Sequence, residues 1–333
     1  MELGGFRIPE EVVRIREDIR SMRIRGAGNI ARNGALALAI AAERFSGGDV
    51  EAFLKYMGLV ADYVRSARPT AVSLPNAVSY VMSRLERSRP TSVDEARRTV
   101  VEASKEFIEY SENAVRLIGE LGARRIERGD VLMTHCHSTA AVSVIVTAFR
   151  QGKVERVYVK ETRPAFQGLI TARELAREGV EVILIPDSAV RYYMKKVDKV
   201  VVGADTIAAN GAVVNKIGTS VVALVAKEAR VRFYVASETY KFSPYTILGE
   251  LVPIEVRDPT EVVDRGWLAE NPNVRVFNPV FDVTPPEYVD AIITERGVIP
   301  PQLAALILIE QYGVKLLDVY QAHRSLELHV DTE

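Results

Sequence analysis

The chain has one cysteine and four histidines among its 333 residues. A single cysteine cannot form an internal disulfide, which is typical of a reducing compartment and leaves the thiol available for chemistry. The formal net charge is only −1, so no excess of one sign marks a surface for nucleic acid or for an anionic membrane. We therefore expect a small-molecule site or a protein partner, and neither nucleic-acid nor membrane binding.

Long apolar runs are also missing. The N-terminal segment MELGGFRIPEEVVRIREDIRSMRIRGAG is charged every few residues, and it lacks both the apolar core of a signal peptide and the ~20 apolar residues of a membrane span. The sequence contains no GxGxxG or P-loop signature, which argues against a dinucleotide-dependent or nucleotide-hydrolysing enzyme. These absences favour a cytoplasmic protein that uses no cofactor.

The hydrophobic periodicity changes once along the chain. From Pro9 to about Gly122 the apolar residues recur at helical spacing, as in IARNGALALAIAAERF, and predict five or six helices. After RRIERGD, short β-branched runs such as VLMTH, RVYVKE, EVILIPD, KVVVGAD and RFYVASE are each followed by a helical stretch or a loop. The predicted fold class is α/β: an N-terminal all-helical domain over 1–125, then a Rossmann-like, doubly wound, mainly parallel sheet domain over 126–333.

Cys136 lies between His135 and His137, directly after the first predicted strand and before a helix. A helix N-terminus lowers the pKa of a nearby thiol and favours an anion at the same place. A zinc site would need further ligands, whereas the other histidines, His323 and His329, lie near the C-terminus. No metal site is predicted, and the choice between a catalytic thiol and a buried structural cysteine stays open.

Further polar residues follow the other predicted strands. Asp205 in GADTI follows the fourth strand and is preceded by small residues, which suits general acid–base chemistry, although a turn or helix-cap aspartate is the alternative. Glu161 and Arg163 follow the second strand, and Asp187 follows the third. Because the carboxyl ends of parallel strands meet at one edge of a sheet, we expect these groups near Cys136.

Several stretches suit a phosphate group. VVNKIGTS places Asn215 and Lys216 before a helix start, and SETYKFSP places Lys241 beyond a strand, although either lysine alone could be a solvated surface charge. In the helical part, RIRGAGNIAR combines Gly-Ala-Gly with three arginines, and SARPTAVSLPNA adds Arg68 in a proline-bounded loop. Gly-Ala-Gly can equally be a tight turn between helices.

Seven motifs in one order carry a resemblance to a known superfamily. RGAGNIA, RPTAVSLPNA, THCHS, ETRPAFQG, GADTI, NGAVVNKIGT and YKFS resemble the superfamily that unites aldose-phosphate isomerases with the regulatory subunits of translation initiation factor 2B. The resemblance runs from about residue 20 to about residue 325 and is strongest to archaeal ribose-1,5-bisphosphate isomerases. In that superfamily, 5-methylthioribose-1-phosphate isomerases share the Cys and Asp motifs but have a longer amino-terminal segment, whereas the translation-factor subunits lack both residues.

The resemblance implies roles for residues of these motifs. It implies that Cys136 and Asp205 are the catalytic pair, and it assigns neither a metal nor a role to His137. It also implies a set of substrate-binding residues, with Arg65 as an alternative to Arg68. That set is Arg25, Gly26, Ala27, Gly28, Arg68, Ser138, Thr139, Ala140, Asn215, Lys216 and Lys241.

The implied reaction is the isomerisation of ribose 1,5-bisphosphate to ribulose 1,5-bisphosphate in archaeal AMP degradation, with AMP as an expected allosteric activator. Asp205 gives a proton to the ring oxygen, Cys136 as thiolate removes the C2 proton, and a proton returns at C1. The family further implies a homo-oligomer, either a dimer through the α/β domains or a hexamer built from three dimers. The alternatives are a 5-methylthioribose-1-phosphate isomerase and a non-catalytic regulatory subunit of the initiation-factor type.

Overall fold

The computed structural model describes residues 2–68, 72–248 and 251–312. The chain divides into two compact units, Met1–Ala114 and Val115–Glu333, and the division falls inside a long helix, whereas the domain boundary at residue 125 stays a prediction. Residues 69–71 of the RPTAVSLPNA motif lie outside the described residues, as do His323 and His329. Among the helices of the described residues, none is long and apolar enough to cross a membrane.

The first unit is helical, as the periodicity predicts, and begins with a small hairpin of two-residue strands that are too short to be recognised from sequence. The elements are β1 (Glu2–Leu3), β2 (Phe6–Arg7), α1 (Glu10–Arg20), α2 (Ala27–Arg44), α3 (Val50–Arg65), α4 (Ser73–Ser88) and α5 (Val93–Ala123). Helix α2 buries Ile30 and Leu38, which are spaced two turns apart, so its apolar stripe faces the other helices. The Asp49 side chain accepts a hydrogen bond from the Ala52 amide and caps α3.

The second unit alternates strands and helices. The elements are β3 (Asp130–Thr134), α6 (Thr139–Arg150), β4 (Val154–Lys160), α7 (Gln167–Arg177), β5 (Val182–Ile185), α8 (Val190–Met194), β6 (Lys199–Gly203), β7 (Thr206–Ile207), β8 (Val213–Lys216), α9 (Thr219–Ala229), β9 (Arg232–Ala236), α10 (Arg265–Glu270), β10 (Phe281–Thr284), β11 (Ala291–Thr294), β12 (Gly297–Ile299) and α11 (Ala304–Tyr312).

The main sheet has the order β12-β11-β9-β6-β3-β4-β5. All neighbouring pairs are parallel except β11 and β12, which confirms the predicted doubly wound, mainly parallel sheet. Strand β6 is buried on both faces, because Val200 and Val202 pack into one apolar core and Val201 into the other. The chain reverses its direction of winding between β3 and β6, and ligands of such sheets bind beyond the carboxyl ends at this switch point.

A smaller antiparallel sheet with the order β10-β8-β7 lies after β6 in the chain. The predicted Asn-Gly turn connects β7 to β8, with Gly211 at φ +84° and the Asn210 side chain accepting a hydrogen bond from the Ala212 amide. In this smaller sheet Thr206 of β7 pairs with Val214 of β8, so the residues just after β6 lie beside β8. The switch point of the main sheet is thereby bordered by this second sheet.

Candidate functional site

Cys136 lies in the short loop between β3 and α6, two residues beyond the carboxyl end of β3. Its backbone is left-handed, with φ +66°. Burial raises the pKa of the thiol to about 12, the Lys216 ammonium opposes that rise, and the Asp205 and Asp187 carboxylates add to it. The three charges that act on the thiol therefore come from β8, from the residues after β6 and from those after β5.

The expectation that the helix N-terminus lowers the pKa of Cys136 is wrong. Removal of the thiol from water is the largest effect, and the Lys216 charge and the hydrogen bond from the His137 amide oppose it only in part. The N-terminus of α6 is also occupied, since the Ser138 hydroxyl accepts a hydrogen bond from the Ala141 amide. In the ligand-free protein Cys136 consequently carries its proton at neutral pH.

Ser138 and Gly203 bring the loops after β3 and β6 together. A Cβ atom added to Gly203 would lie under 3.0 Å from the Ser138 side chain, which confirms the interpretation that small residues before Asp205 permit a close approach. Thr139 is exposed and Ala140 is buried in the first turn of α6. The catalytic candidates thus lie on either side of a close contact between Ser138 and Gly203.

Asp205 is half-buried and is the second residue after β6. Its amide donates a hydrogen bond of 3.0 Å to the Val214 carbonyl, so it lies next to Asn215 in the hairpin formed by β7 and β8. This register also fixes Lys216, which is 6% exposed. Cys136, Asp205, Asn215 and Lys216 therefore come together at the switch point, as the sequence predicts.

The start of α9 differs from its sequence interpretation. The amides of Gly218 and Ser220, which were expected to face a phosphate, donate to the Asp282 carboxylate at 2.7 and 3.1 Å. Burial raises the pKa of Asp282, and these two amide hydrogen bonds oppose the rise. Asp282 belongs to β10, far along the chain. Its carboxylate occupies the N-terminal end of α9, where the sequence suits a phosphate.

Asn215 and Lys216 also have partners in the same region. The Asn215 amide donates to the Thr219 hydroxyl at 3.0 Å, and the Lys216 ammonium lies 5.4 Å from the centre of the Phe281 ring. An ammonium above an aromatic face is stabilised without losing its charge. Lys216 thus remains a buried cation beside the two catalytic candidates.

Lys241 follows β9 and forms a buried ion pair that the sequence analysis missed. Its ammonium lies 2.6 Å from a carboxylate oxygen of Glu238, and neither side chain is more than 5% exposed. Burial raises the pKa of Glu238, but the Lys241 charge and hydrogen bond, together with the Tyr240 hydroxyl, lower it overall. One sequence signal could have revealed this pair: Glu238 and Lys241 are opposite charges three residues apart, soon after an apolar strand.

A second buried cation, Lys160 at the end of β4, was also missed. It is 1% exposed, its ammonium lies 3.7 Å from Asp187, and it donates at 3.4 Å to the Gly218 carbonyl. Burial lowers its pKa, against which Asp187 acts. Nothing in RVYVKE distinguishes this lysine from a solvated one, because the burial depends on elements that follow much later in the chain.

His135 is neutral in this structure. Burial, and after it the Lys160 charge, lowers its pKa to about 3. Its Nε2 lies 2.9 Å from the Ile217 carbonyl, which can only accept, so Nε2 carries the proton. Among the described residues, no three His, Cys, Asp or Glu side chains are grouped as metal ligands would be.

Of the other groups expected near Cys136, Asp187 is close enough to affect the thiol, whereas the Arg163 guanidinium is engaged elsewhere. Arg163 is exposed and donates at 3.1 Å to the Val262 carbonyl. The Arg163 and Thr162 amides donate to the Asp187 carboxylate at 2.7 and 3.1 Å. Glu161 is half-buried.

The candidates of the first unit also lie together within that unit. Gly26, at φ +85°, precedes α2, and the buried Ser73 hydroxyl donates at 2.9 Å to the Ala27 carbonyl. The RGAG and SLPNA stretches are therefore in contact. Gly28 is buried and Arg25 is exposed.

The two arginines of the RPTAVSLPNA region differ in their surroundings. Arg65, the alternative candidate, donates to Asp62 at 3.0 Å and to the Ser79 hydroxyl at 3.3 Å. Arg68 is only 9% exposed. The contacts of Arg65 fix its guanidinium to its own and the following helix. Arg68 stays the candidate for substrate binding and Arg65 the alternative.

Comparison with known proteins gives consistent relatives. Residues 23–301 match the model of the Initiation factor 2 subunit family. A ribose 1,5-bisphosphate isomerase of Thermococcus kodakarensis is 56% identical over 309 residues, which cover 92% of this chain and 96% of that protein. A solved structure of translation initiation factor eIF-2B from Pyrococcus horikoshii OT3 has a TM-score of 0.75 at 34% identity and covers 88% of this chain and 98% of that one. The structure of a 5-methylthioribose 1-phosphate isomerase from the same organism has a TM-score of 0.73 at 32% identity, with 92% and 88% covered.

Proposed function

The chain belongs to the Initiation factor 2 subunit family, and from that premise we propose that it is an enzyme that isomerises ribose 1,5-bisphosphate to ribulose 1,5-bisphosphate. The observation that carries the proposal is the meeting of Cys136 and Asp205 at the switch point of the sheet, with the buried Lys216 beside them. A thiol and a carboxylate in one site can exchange protons with two positions of a sugar. The relatives named ribose 1,5-bisphosphate isomerase support this substrate.

The proposed mechanism uses the pair in both directions. Asp205 gives a proton to the ring oxygen as the bond between that oxygen and C1 breaks. Cys136 as thiolate removes the proton from C2, which leaves an enol that keeps its phosphate on C1. Cys136 then returns that proton to C1, Asp205 takes the proton of the C2 hydroxyl, and the ketone forms with both residues back in their starting states.

This sequence of steps requires Cys136 to lose its proton before catalysis. Because burial raises the pKa of the thiol to about 12, only a small fraction of the ligand-free protein is in the thiolate form at neutral pH. The nearby Lys216 ammonium stabilises the thiolate and the developing enolate. The reaction therefore depends on a proton leaving Cys136 while Asp205 keeps one, so the reactive form combines a thiolate with a protonated carboxyl group.

We also propose how the bisphosphate is held. Lys216, Asn215 and Lys241 lie in the second unit near the catalytic pair, and the amide groups over Ser138–Ala140 follow the loop of Cys136. Lys241 can bind a phosphate only by sharing its ammonium with Glu238. In the first unit we assign Arg25, the backbone of residues 26–28, and Arg68 to substrate binding, since backbone amides and guanidinium groups suit phosphate.

The wider setting follows from the family and belongs to the same proposal. We propose a cytoplasmic, archaeal enzyme of AMP degradation that acts as a homo-oligomer, a dimer or a hexamer of three dimers, and that AMP activates. The catalytic pair lies in the proposed domain over 126–333, after the helical domain over 1–125. Addition of AMP to the assay below, with an expected rise in rate, tests the activation.

The test is a side-by-side assay of the purified protein with ribose 1,5-bisphosphate and 5-methylthioribose 1-phosphate, followed by 31P NMR. We expect turnover of the bisphosphate. Preferential turnover of the methylthio substrate would replace the proposal by the second isomerase activity, which the 32% identical solved relative represents. Turnover of neither substrate would support a non-catalytic regulatory subunit.

A further inference from the structure

Cys136 has an unusual backbone conformation for its residue type. Its φ of +66° lies in the left-handed region, which residues other than glycine seldom adopt unless the surroundings hold them there. Both backbone polar groups of Cys136, its amide and its carbonyl, are held by hydrogen bonds with side chains. Its amide donates to the Thr162 hydroxyl at 3.0 Å, and its carbonyl accepts from the Thr171 hydroxyl at 2.8 Å.

Thr162 is itself fixed by a chain of hydrogen bonds. Its hydroxyl oxygen lies 3.2 Å from His135 Nδ1, and His135 Nε2 donates to the Ile217 carbonyl. Because the proton of the neutral ring is on Nε2, Nδ1 can only accept, as can the Lys160 carbonyl, which lies 3.1 Å from the same hydroxyl. The single hydroxyl proton of Thr162 is directed to these two acceptors, and its oxygen accepts from the Cys136 amide. The Thr162 amide donates to Asp187 at 3.1 Å. The hydrogen bonds that hold Cys136 thus involve residues that follow β4 and β5 and the residue after Lys216.

Thr171 comes from a different element, the helix α7. Its hydroxyl gives its proton to the Cys136 carbonyl and therefore accepts from His137, whose Nδ1 lies 3.0 Å away. Both threonines are fully buried, at 0% and 1% exposure. Two independent elements consequently hold a single residue whose side chain is the proposed base.

We propose that Thr162 and Thr171 are positioning residues that hold Cys136 in the left-handed conformation and thereby fix the direction of its thiol toward the substrate carbon. The inference rests on the proposed function for the identity of the reaction. The hydrogen bonds between the two threonines and Cys136 are a property of the ligand-free protein. The hydroxyl groups, and not the bulk of the side chains, do this, because each hydrogen bond uses the oxygen. Valine keeps the shape of threonine without the oxygen, and serine keeps the oxygen.

The test combines kinetics with spectroscopy of the only cysteine. Because the chain has one cysteine, 13C and 15N labelling of cysteine alone gives the signals of Cys136 without assignment. The variants are Thr162→Val and Thr171→Val, the rescue variants are Thr162→Ser and Thr171→Ser, and Thr294→Val is the matched control. Thr294 is also 0% exposed and donates to the Gly297 carbonyl at 2.9 Å, away from Cys136.

In the two valine variants we expect the Cα and amide signals of Cys136 to move and kcat to fall about tenfold to a hundredfold, with KM nearly unchanged, because a misplaced base costs rate more than binding. The serine variants and Thr294→Val should keep both the signals and kcat close to those of the wild type. Unmoved Cys136 signals in the valine variants would overturn the proposal even if kcat fell, as would equal movement in Thr294→Val. If the signals move as expected but the wild type turns over no ribose 1,5-bisphosphate, the positioning stands and the proposed function fails.

Discussion

The contact between Gly203 and Ser138 gives a prediction that tests stability and activity together. In Gly203→Ala the new Cβ would lie under 3.0 Å from the Ser138 side chain, so Ser138 must move. The overpacking costs about 1–3 kcal/mol, and loss of the Ser138 cap on α6 adds about 1 kcal/mol. We expect the free energy of unfolding to fall by about 2–4 kcal/mol in total, and the rate to fall as well, because Cys136 and Asp205 each lie two residues from this contact.

Urea unfolding, followed by circular dichroism, measures the first quantity, and the isomerase assay the second. Ser138→Gly removes the obstructing side chain, and glycine is tolerated at a helix cap with a cost of only a few tenths of a kcal/mol (~0.3) relative to serine. The double variant Gly203→Ala/Ser138→Gly should therefore recover most of the loss, with a coupling energy of about 1–3 kcal/mol. Gly58→Ala is the matched control, since a Cβ there has open space inside α3, and it should stabilise by about 0.5–1 kcal/mol.

A Gly203→Ala protein as stable and active as the wild type would refute the reasoning. Additive effects in the double variant would also refute it, because they would mean that the cost arises from something other than Ser138.

Three further predictions follow from the buried charges. Between pH 9 and about 12 the folded protein keeps the proton of Cys136, whereas the unfolded chain loses it. The free energy of unfolding of the wild type should therefore fall with rising pH by about 1.4 kcal/mol per pH unit relative to that of Cys136→Ser. Urea titrations at alkaline pH measure this difference, and parallel pH curves for the two proteins would contradict the prediction. Glu238→Gln leaves the Lys241 ammonium without its buried charged partner and should lower the free energy of unfolding by about 3–5 kcal/mol. A change below about 1 kcal/mol, which is typical of exposed ion pairs, would contradict this and would mean that water solvates the ammonium. Asp282→Ala removes the acceptor of two amides at the start of α9 and should cost about 1–3 kcal/mol in the same measurement, and no loss would mean that solvent replaces the carboxylate.

Local sequence patterns were enough to predict the fold class and the position of the proposed catalytic pair. Alternating burial of Val200, Val201 and Val202 is a property of a strand covered on both faces. Cys136 and Asp205 are each the second residue after such a strand. Parallel strands end at one edge of the sheet, so the proximity of the two residues follows from topology.

The electrostatics of the site could not be predicted in this way. The pKa of Cys136 depends mainly on how much water the assembled loops exclude, and this effect exceeds the opposing Lys216 charge and His137 amide hydrogen bond. In the sequence Lys160 looks like an ordinary lysine at a strand end, yet its ammonium donates a hydrogen bond to the carbonyl of Gly218, 58 residues later. Asp282 reaches α9 through the pairing of β10 with β8, a non-local register that no local pattern encodes.

The acid–base role of Cys136 and Asp205 is the central claim, and one measurement tests it most directly: 31P NMR of ribose 1,5-bisphosphate mixed with the wild type, Cys136→Ser and Asp205→Asn. The account predicts that the wild type forms the ketose bisphosphate, while both variants stay folded, bind the substrate and lose nearly all turnover, since a placed base or acid contributes about 10²- to 10⁴-fold. Retention of more than about a tenth of the wild-type rate by Cys136→Ser would contradict the thiolate-base mechanism.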